Sequence, residues 1–331
     1  MRRLLLRLSL LLIPLLLLAS VAGYQLLGAP LAPPQAVSYR LQPGSSLSRV
    51  AEELEGAGVV RSALALKLLA KLAGQGGLVQ SGTYRFSEPA PPGRILARLV
   101  AGDVEKVSLT IPEGFTLQQV IDRLAELGYG NRDRLRQLAN DPEFVRQLGI
   151  EAPNLEGYLF PETYLFSPGI SEAAVLKMLV MQFHLRVDQA LLARAKTQQL
   201  NLHQLVTLAS IIEKETSLVE EMPLIAAVFH NRLRRNIPLQ TDPTVIYGLA
   251  AFDGNLTRKH LETPAPYNTY LVRGLPPGPI ANPGLAALRA AAEPARSDYL
   301  YFVARGDGSH QFSVSLQEHN QAVRRFQLKR R

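Results

Sequence analysis

The longest apolar run lies at the start of the chain. Residues 8–27 carry no charge and are mostly leucine, and a helix of that length covers roughly 30 Å, the hydrocarbon thickness of a bilayer. The pattern predicts a transmembrane helix over 8–27. Residues 28–36, with Pro30, Pro33 and Pro34, cannot continue it and read as a stalk. Two later segments share one pattern. Val37, Tyr39 and Leu41, and again Val107, Leu109 and Ile111, alternate with polar positions, and a glycine follows at 44 and at 114. Ser46 and Thr116 stand where helix N-caps belong, and Leu47, Val50 and Leu54 match Leu117, Val120 and Leu124 at helical spacing. Each copy reads as strand, turn and helix. Residues 62–72 add a helical stretch and 81–86 a returning strand, and helices follow at 133–148, 171–197 and 201–216.

These elements make an α+β chain. The first copy, with its second helix and returning strand, resembles a small LysM-like βααβ unit, placed with its connector over 37–104. Such a unit fits carbohydrate binding or a plain spacer. The second copy opens a larger mixed α+β domain over 105–323, the catalytic candidate.

Composition narrows the classes. Of 331 residues, 47% are apolar and 19% charged, which excludes a disordered chain. The absence of cysteine removes disulfides and thiolate chemistry. A net charge of +8 invites a nucleic-acid reading, but the charge sits at the ends. Arg2, Arg3 and Arg7 lie in segment 1–7, and Arg324, Arg325, Lys329, Arg330 and Arg331 form a basic tail over 324–331, with no acid in either segment. Residues 8–323 are neutral overall, so no nucleic-acid partner is expected. The leading arginines put the N-terminus in the cytoplasm and the rest outside, a single-pass protein of the cytoplasmic (inner) membrane with its catalytic domain extracytoplasmic. A signal peptide cleaved after Ser20-Val21-Ala22 is the competing reading, and it exports the body equally.

The candidate chemistry begins in helix 201–216. At about 100° per residue from Leu202, the apolar residues Leu205, Val206, Ala209 and Ile212 form one stripe, and Glu213 falls inside it at about 20°. Lys214 points to about 120° and Glu215 to about 220°, near the stripe's edge, so Glu213 is the carboxylate aimed at the apolar side and Glu215, an alternative carboxylate, is expected to be structural or to order a loop. Burial raises a carboxyl pKa and keeps a general acid protonated near neutral pH. A buried carboxylate held by a cation is the other reading of the same spacing. Downstream, polar and aromatic residues sit among turn formers: Phe229-His-Asn231-Arg-Leu233, Gln240-Thr-Asp242-Pro-Thr-Val-Ile-Tyr247-Gly248, Tyr267-Asn268-Thr-Tyr270 and Gly274-Leu-Pro-Pro-Gly278. Rigid loops carrying such groups suit sugar binding, and suit turns and caps as well.

With Ala209-Ser-Ile-Ile-Glu-Lys-Glu-Thr216, those loops and Tyr299-Leu-Tyr-Phe-Val303 in this order, the chain resembles the YceG-like family of endolytic murein transglycosylases. The resemblance runs over nearly the whole length, to His319-Asn320. It implies a lyase that cleaves the β-1,4 bond between N-acetylmuramic acid and N-acetylglucosamine in nascent peptidoglycan strands, leaves 1,6-anhydro ends and ends strand elongation beside peptidoglycan synthases. Carried onto this sequence, the catalytic glutamate falls on Glu213. Gln240, Asp242, Tyr247, Asn268, Tyr270 and Glu162 are expected to bind glycan or orient Glu213, and no cofactor or metal is implied. Two rival readings stand beside this one. A membrane-anchored, non-catalytic glycan scaffold would not need Glu213 and its loops intact. A zinc hydrolase lacks support, because His184, His203, His230, His260, His310 and His319 form no HxxxH or HExxH pair.

Overall fold

The structure, a computed structural model, describes residues 2–328, and among these not the side chains of 2–12 and 14. The Arg2, Arg3 and Arg7 side chains, and Lys329, Arg330 and Arg331, therefore lie outside the described residues. The chain opens with α1 (Arg2–Leu27), β1 (Val37–Leu41), α2 (Leu47–Gly56), α3 (Ala63–Leu72), β2 (Gly82–Phe86), α4 (Pro92–Ala101) and β3 (Val107–Thr110). It continues through α5 (Leu117–Glu126), α6 (Arg132–Ala139), α7 (Pro142–Gln147), β4 (Thr163–Phe166), α8 (Glu172–Arg186), α9 (Gln189–Thr197), α10 (Leu202–Glu215) and α11 (Met222–Arg234). The last part holds α12 (Asp242–Gly248), α13 (Arg258–Glu262), α14 (Leu285–Ala292), β5 (Tyr301–Ala304), β6 (His310–Ser313) and α15 (Leu316–Val323). The strands pair as β1-β2, β3-β4 and β5-β6. The architecture is mixed α+β. It divides into one unit of residues 1–108 with 165–169 and a second of 109–164 with 170–331; 165–169 thus groups with the first unit, away from its neighbours in sequence.

In the first unit the two strands are antiparallel, with Val37 opposite Phe86 and Leu41 opposite Gly82. The Ser46 and Ser62 hydroxyls cap α2 and α3 by accepting from the Arg49 and Ala65 N–H groups. Val50, Leu54, Leu66, Tyr84, Ile95 and Leu99 close one core. The Tyr84 hydroxyl keeps its buried polar end satisfied by donating to the Gln80 carbonyl at 2.6 Å. Part of the expected stalk is docked. The Arg61 guanidinium collects the carbonyls of Gln25, Ala29 and Pro30 at the end of α1, and Leu31 forms a β-bridge to Ala90. Among the described residues, no helix is long and apolar enough to cross a membrane. Within α1 the described side chains are 13 and 15–27, fewer than the roughly 20 a span requires. Ile13, Leu15, Leu16, Leu17, Leu18 and Val21 are exposed.

The second unit corrects two helix readings. The stretch 133–148 breaks into α6 and α7, because Asp141 caps a new helix whose first residue is Pro142, and 171–197 breaks into α8 and α9, because Asp188 caps a new helix by accepting from the Leu191 N–H. The basic tail begins as structure: Arg324–Leu328 continue α15 as a π-helical turn, with the Phe326 ring beneath the Arg305 and Arg325 guanidinium groups. Of its cations, Arg325 lies over an aromatic face, an arrangement that charge counting does not anticipate.

One side chain ties the loops around α10 together. Asn282, fully buried, accepts from the Leu159 N–H at 2.9 Å and donates to the Phe115 carbonyl at 2.8 Å, while its own N–H also reaches Phe115. Gly157, at φ +87°, permits the approach of Pro279: a Cβ there would lie 2.6 Å from the proline ring. Replacing Asn282 by Ala leaves the Leu159 N–H unpaired and takes one of two donors from the Phe115 carbonyl. A loss of about 1–3 kcal/mol is expected, read as a lowered melting temperature of the full chain; an unchanged melt would mean that the loops are held otherwise.

Candidate active site

The helix α10 begins with a capping box, in which the Asn201 side chain accepts from the Gln204 N–H and the Gln204 side chain accepts in return from the Asn201 N–H. Every residue from Leu205 to Ile212 is buried, so this stretch has no solvent face. Its polar residues are satisfied locally. The Thr207 hydroxyl donates to the His203 carbonyl and the Ser210 hydroxyl to the Thr207 carbonyl, each at 2.7 Å, and Ser210 Oγ accepts from the Ile280 N–H. The first charges come in the last turn: Glu213, Lys214 and Glu215.

Glu213 turns toward α14. Its Oε2 accepts from the N–H of Gly284 at 2.9 Å, and Gly284 is the N-cap of that helix. A carboxylate there complements the helix dipole. Glu113 crowds the same point, so closely that a Cβ on Gly284 would fall 1.9 Å from its Oε1. Lys214 Nζ donates to the Gly114 carbonyl at 3.2 Å. Burial and the Glu113 charge push the Glu213 carboxyl above its ordinary range, against the Gly284 N–H and Lys214, which favour the charged form.

Glu215 faces a different place. It lines a cavity of ≈ 470 Å³, within the roughly 300–1,000 Å³ of small-molecule sites. Its Oε1 accepts from the Thr241 hydroxyl. Burial pushes the carboxyl up to about 7, and the neighbouring Asp242 carboxylate pushes the same way. Around it stand Gln240, Asp242, Tyr270, Arg232, His310 and His319. The Tyr270 hydroxyl donates to Asp242 Oδ1 at 2.6 Å, and burial with that bond raises its own pKa. Gln240 sits at φ +53°, a left-handed strain of about 1–2 kcal/mol for a residue with a side chain; its N–H donates to the Thr269 carbonyl. Arg232 is buried, and among the described residues it forms no ion pair with a carboxylate. Its Nε donates to the Leu300 carbonyl at 2.7 Å, its Nη1 to the carbonyls of Pro238 and Leu239, and its guanidinium lies 5.1 Å over the Tyr301 ring. Burial lowers its pKa, yet it stays cationic beside the two acids.

Of the residues singled out from sequence, the cavity brings together Gln240, Asp242 and Tyr270. The others lie elsewhere. Tyr247 donates to Glu156 Oε2 at 3.1 Å and its ring meets Tyr267 at 4.9 Å. Asn268 is buried, its amide spent on the carbonyls of His260, Leu261 and Thr263 and its oxygen on the Tyr270 N–H; it shapes the loop that presents Tyr270. Glu162 pairs with Arg186. The sequence reading gives Glu215 a structural role and assigns no site role to Thr241, Arg232, His310 or Glu156. Glu156 is a second buried carboxyl, pushed up to about 7 by burial, accepting from the Leu117 N–H at the start of α5. A signal for Glu215 existed in the run Leu205-Val-Thr-Leu-Ala-Ser-Ile-Ile212: eight residues without a charge do not make a stripe, and a helix apolar all round is buried all round.

The YceG-like family matches residues 39–325. A curated relative from Bacillus subtilis, named endolytic murein transglycosylase, is 35% identical over 88% of this chain and 84% of its own length. Another of that name from Streptococcus pneumoniae is 29% identical over 91% of this chain and 61% of its own length. A crystal structure of a yceG-like protein from Listeria monocytogenes aligns at a TM-score of 0.60 with 33% identity, covering 87% of this chain and 98% of that one. A family match that spans most of the sequence, joined to that identity with the Bacillus relative, means that this chain belongs to the YceG-like family.

Proposed function

We propose that the chain is an endolytic peptidoglycan lytic transglycosylase in which Glu215 is the acid and then the base. The observation that carries this reading is a carboxyl held near pKa 7 by burial, bonded to one hydroxyl and open to a cavity lined with polar groups. Protonated, Glu215 donates to the glycosidic oxygen between N-acetylmuramic acid and N-acetylglucosamine as the C1–O bond breaks. As carboxylate it takes the proton of the C6 hydroxyl, whose oxygen closes on C1 to give the 1,6-anhydro end. Gln240, Asp242 and Tyr270 hold the glycan and Arg232 supplies fixed positive charge. Glu213, the expected acid, serves in this reading to set α14 through Gly284. The relatives' shared name supports the reaction class.

Asp242 favours a second reading. Two carboxylates on one cavity are the equipment of a glycoside hydrolase, with Asp242 as base or nucleophile. The products separate the two.

The uncharged run 8–27 and the exposed leucines of α1 suit an anchor in the cytoplasmic membrane, with the βααβ unit as a LysM-like glycan or spacer module and the second unit acting on nascent strands beside their synthases.

Glu215→Gln is expected to fold and to lose at least about 100-fold in turnover of purified glycan strands, whereas Glu213→Gln keeps turnover within about tenfold and loses stability instead. Mass spectrometry is expected to find 1,6-anhydro ends in the wild-type digest; reducing muramic ends would establish the hydrolase. In pH profiles, Glu215 holds its proton below its pKa and loses it above. Activity as kcat/KM is therefore expected to fall on the alkaline side with a midpoint near 7, and a flat profile from pH 6 to 9 would remove this acid. For the anchor, the mature full chain should resist carbonate extraction from membranes and keep residues 8–27; an N-terminal read beginning at Gly23 would show a cleaved signal peptide instead.

A further inference from the structure

His310 lines the cavity beside Glu215 and is paired with Glu221, which is not part of the lining; the reaction above leaves this pair unused. The backbone N–H of His310 donates to Glu221 Oε1 at 3.0 Å, and its Nδ1 lies 2.7 Å from Glu221 Oε2. Both side chains are nearly buried, at 10% and 14% exposure. A carboxylate only accepts, so Nδ1 carries a proton and the ring's free corner is Nε2. Phe302 meets the imidazole edge-on at 5.4 Å, which fixes its plane. Glu221 is itself the N-cap of α11, yet it makes no side-chain cap bond. Its carboxylate is committed to His310 at the expense of its own helix, a local rule broken where a site needs it.

We propose that His310, held by Glu221, is a positioning residue for Glu215: as an imidazolium lining the same cavity, it steadies the carboxylate that Glu215 becomes after giving up its proton. This rests on the reading of Glu215 as the acid. The proton count is simple. Glu215 loses its proton to the leaving oxygen and regains one from the C6 hydroxyl, while the protons of His310 stay on the ring throughout.

The other groups facing Glu215 do not fill this role. Asp242 opposes the carboxylate, and Tyr270 is bound to Asp242. Arg232 is tied to backbone carbonyls and carries a charge that does not change with pH. His319 is stacked on Tyr301 and is driven toward its neutral form by burial and by Arg232. His310 acts on Glu215 in the attractive sense, favouring the ionised form.

The test is the pH profile of kcat/KM for the full chain and for His310→Gln, which keeps a donor for Glu221 but no charge. Loss of the cation makes Glu215 harder to ionise, so the alkaline limb is expected to move up by roughly one pH unit. A lower amplitude with an unmoved limb would reduce His310 to packing and overturn the inference. A second readout needs no turnover: in carbon-13 NMR titrations of the side-chain carboxyls, the Glu215 midpoint is expected to rise in His310→Gln relative to wild type, and equal midpoints would overturn the coupling. Turnover of Glu215→Gln separates the two readings. Full activity there sinks the assignment of Glu215 itself, whereas an inactive Glu215→Gln beside an unmoved limb in His310→Gln sinks only the role of His310.

Discussion

The helix α10 has nowhere to put a charge until its last turn. Eight consecutive residues are covered on every side, and the two acids that end the helix emerge where protein still surrounds them. Each then needs a local solution. Glu213 finds the N-terminus of α14, where a backbone N–H and the dipole favour a carboxylate. Glu215 finds a hydroxyl, a like-charged neighbour and an open cavity, conditions under which staying protonated is the cheaper state. Two residues of the same type, two positions apart, thus differ in surroundings because of what each helix face meets.

The surrounding loops are rigid because polar side chains satisfy backbone, a use of Asn and Thr that suits buried turns. Asn282 joins 115, 159 and its own loop. Thr269 accepts from the Thr241 N–H and meets the Thr244 hydroxyl at 2.8 Å, and Asn268 closes the turn before Tyr270. Motif residues that read as sugar contacts therefore divide. Asn268 and Thr269 build the wall, and Tyr270, Gln240 and Asp242 face the space behind it.

Much of the architecture was legible in the chain because it depends on local periodicity. The paired strand-turn-helix patterns reappear as β1 with α2 and as β3 with α5, capped by Ser46 and Thr116 as their spacing indicates. The site was legible only in part. A helical wheel reports direction relative to one helix and knows nothing of what packs on the opposite face; it singled out Glu213 and set Glu215 at the edge, although both are enclosed. The pairing of His310 with Glu221 spans 89 positions, and the seating of Arg232 on carbonyls near 300 spans 68. No spacing rule reaches that far. The same holds for Arg324–Leu328, which charge alone marks as a tail and aromatic contacts draw into a helix.

The central claim is that Glu215 holds a proton near neutral pH inside an open cavity. It is tested most directly by carbon-13 NMR of the side-chain carboxyls in the full chain, with Glu215→Gln used to assign the resonance. The account predicts a Glu215 titration midpoint near 7, well above the roughly 4.3 of an ordinary glutamate. A midpoint in that ordinary range would contradict it, because the carboxyl would then be ionised before any glycosidic oxygen reached it.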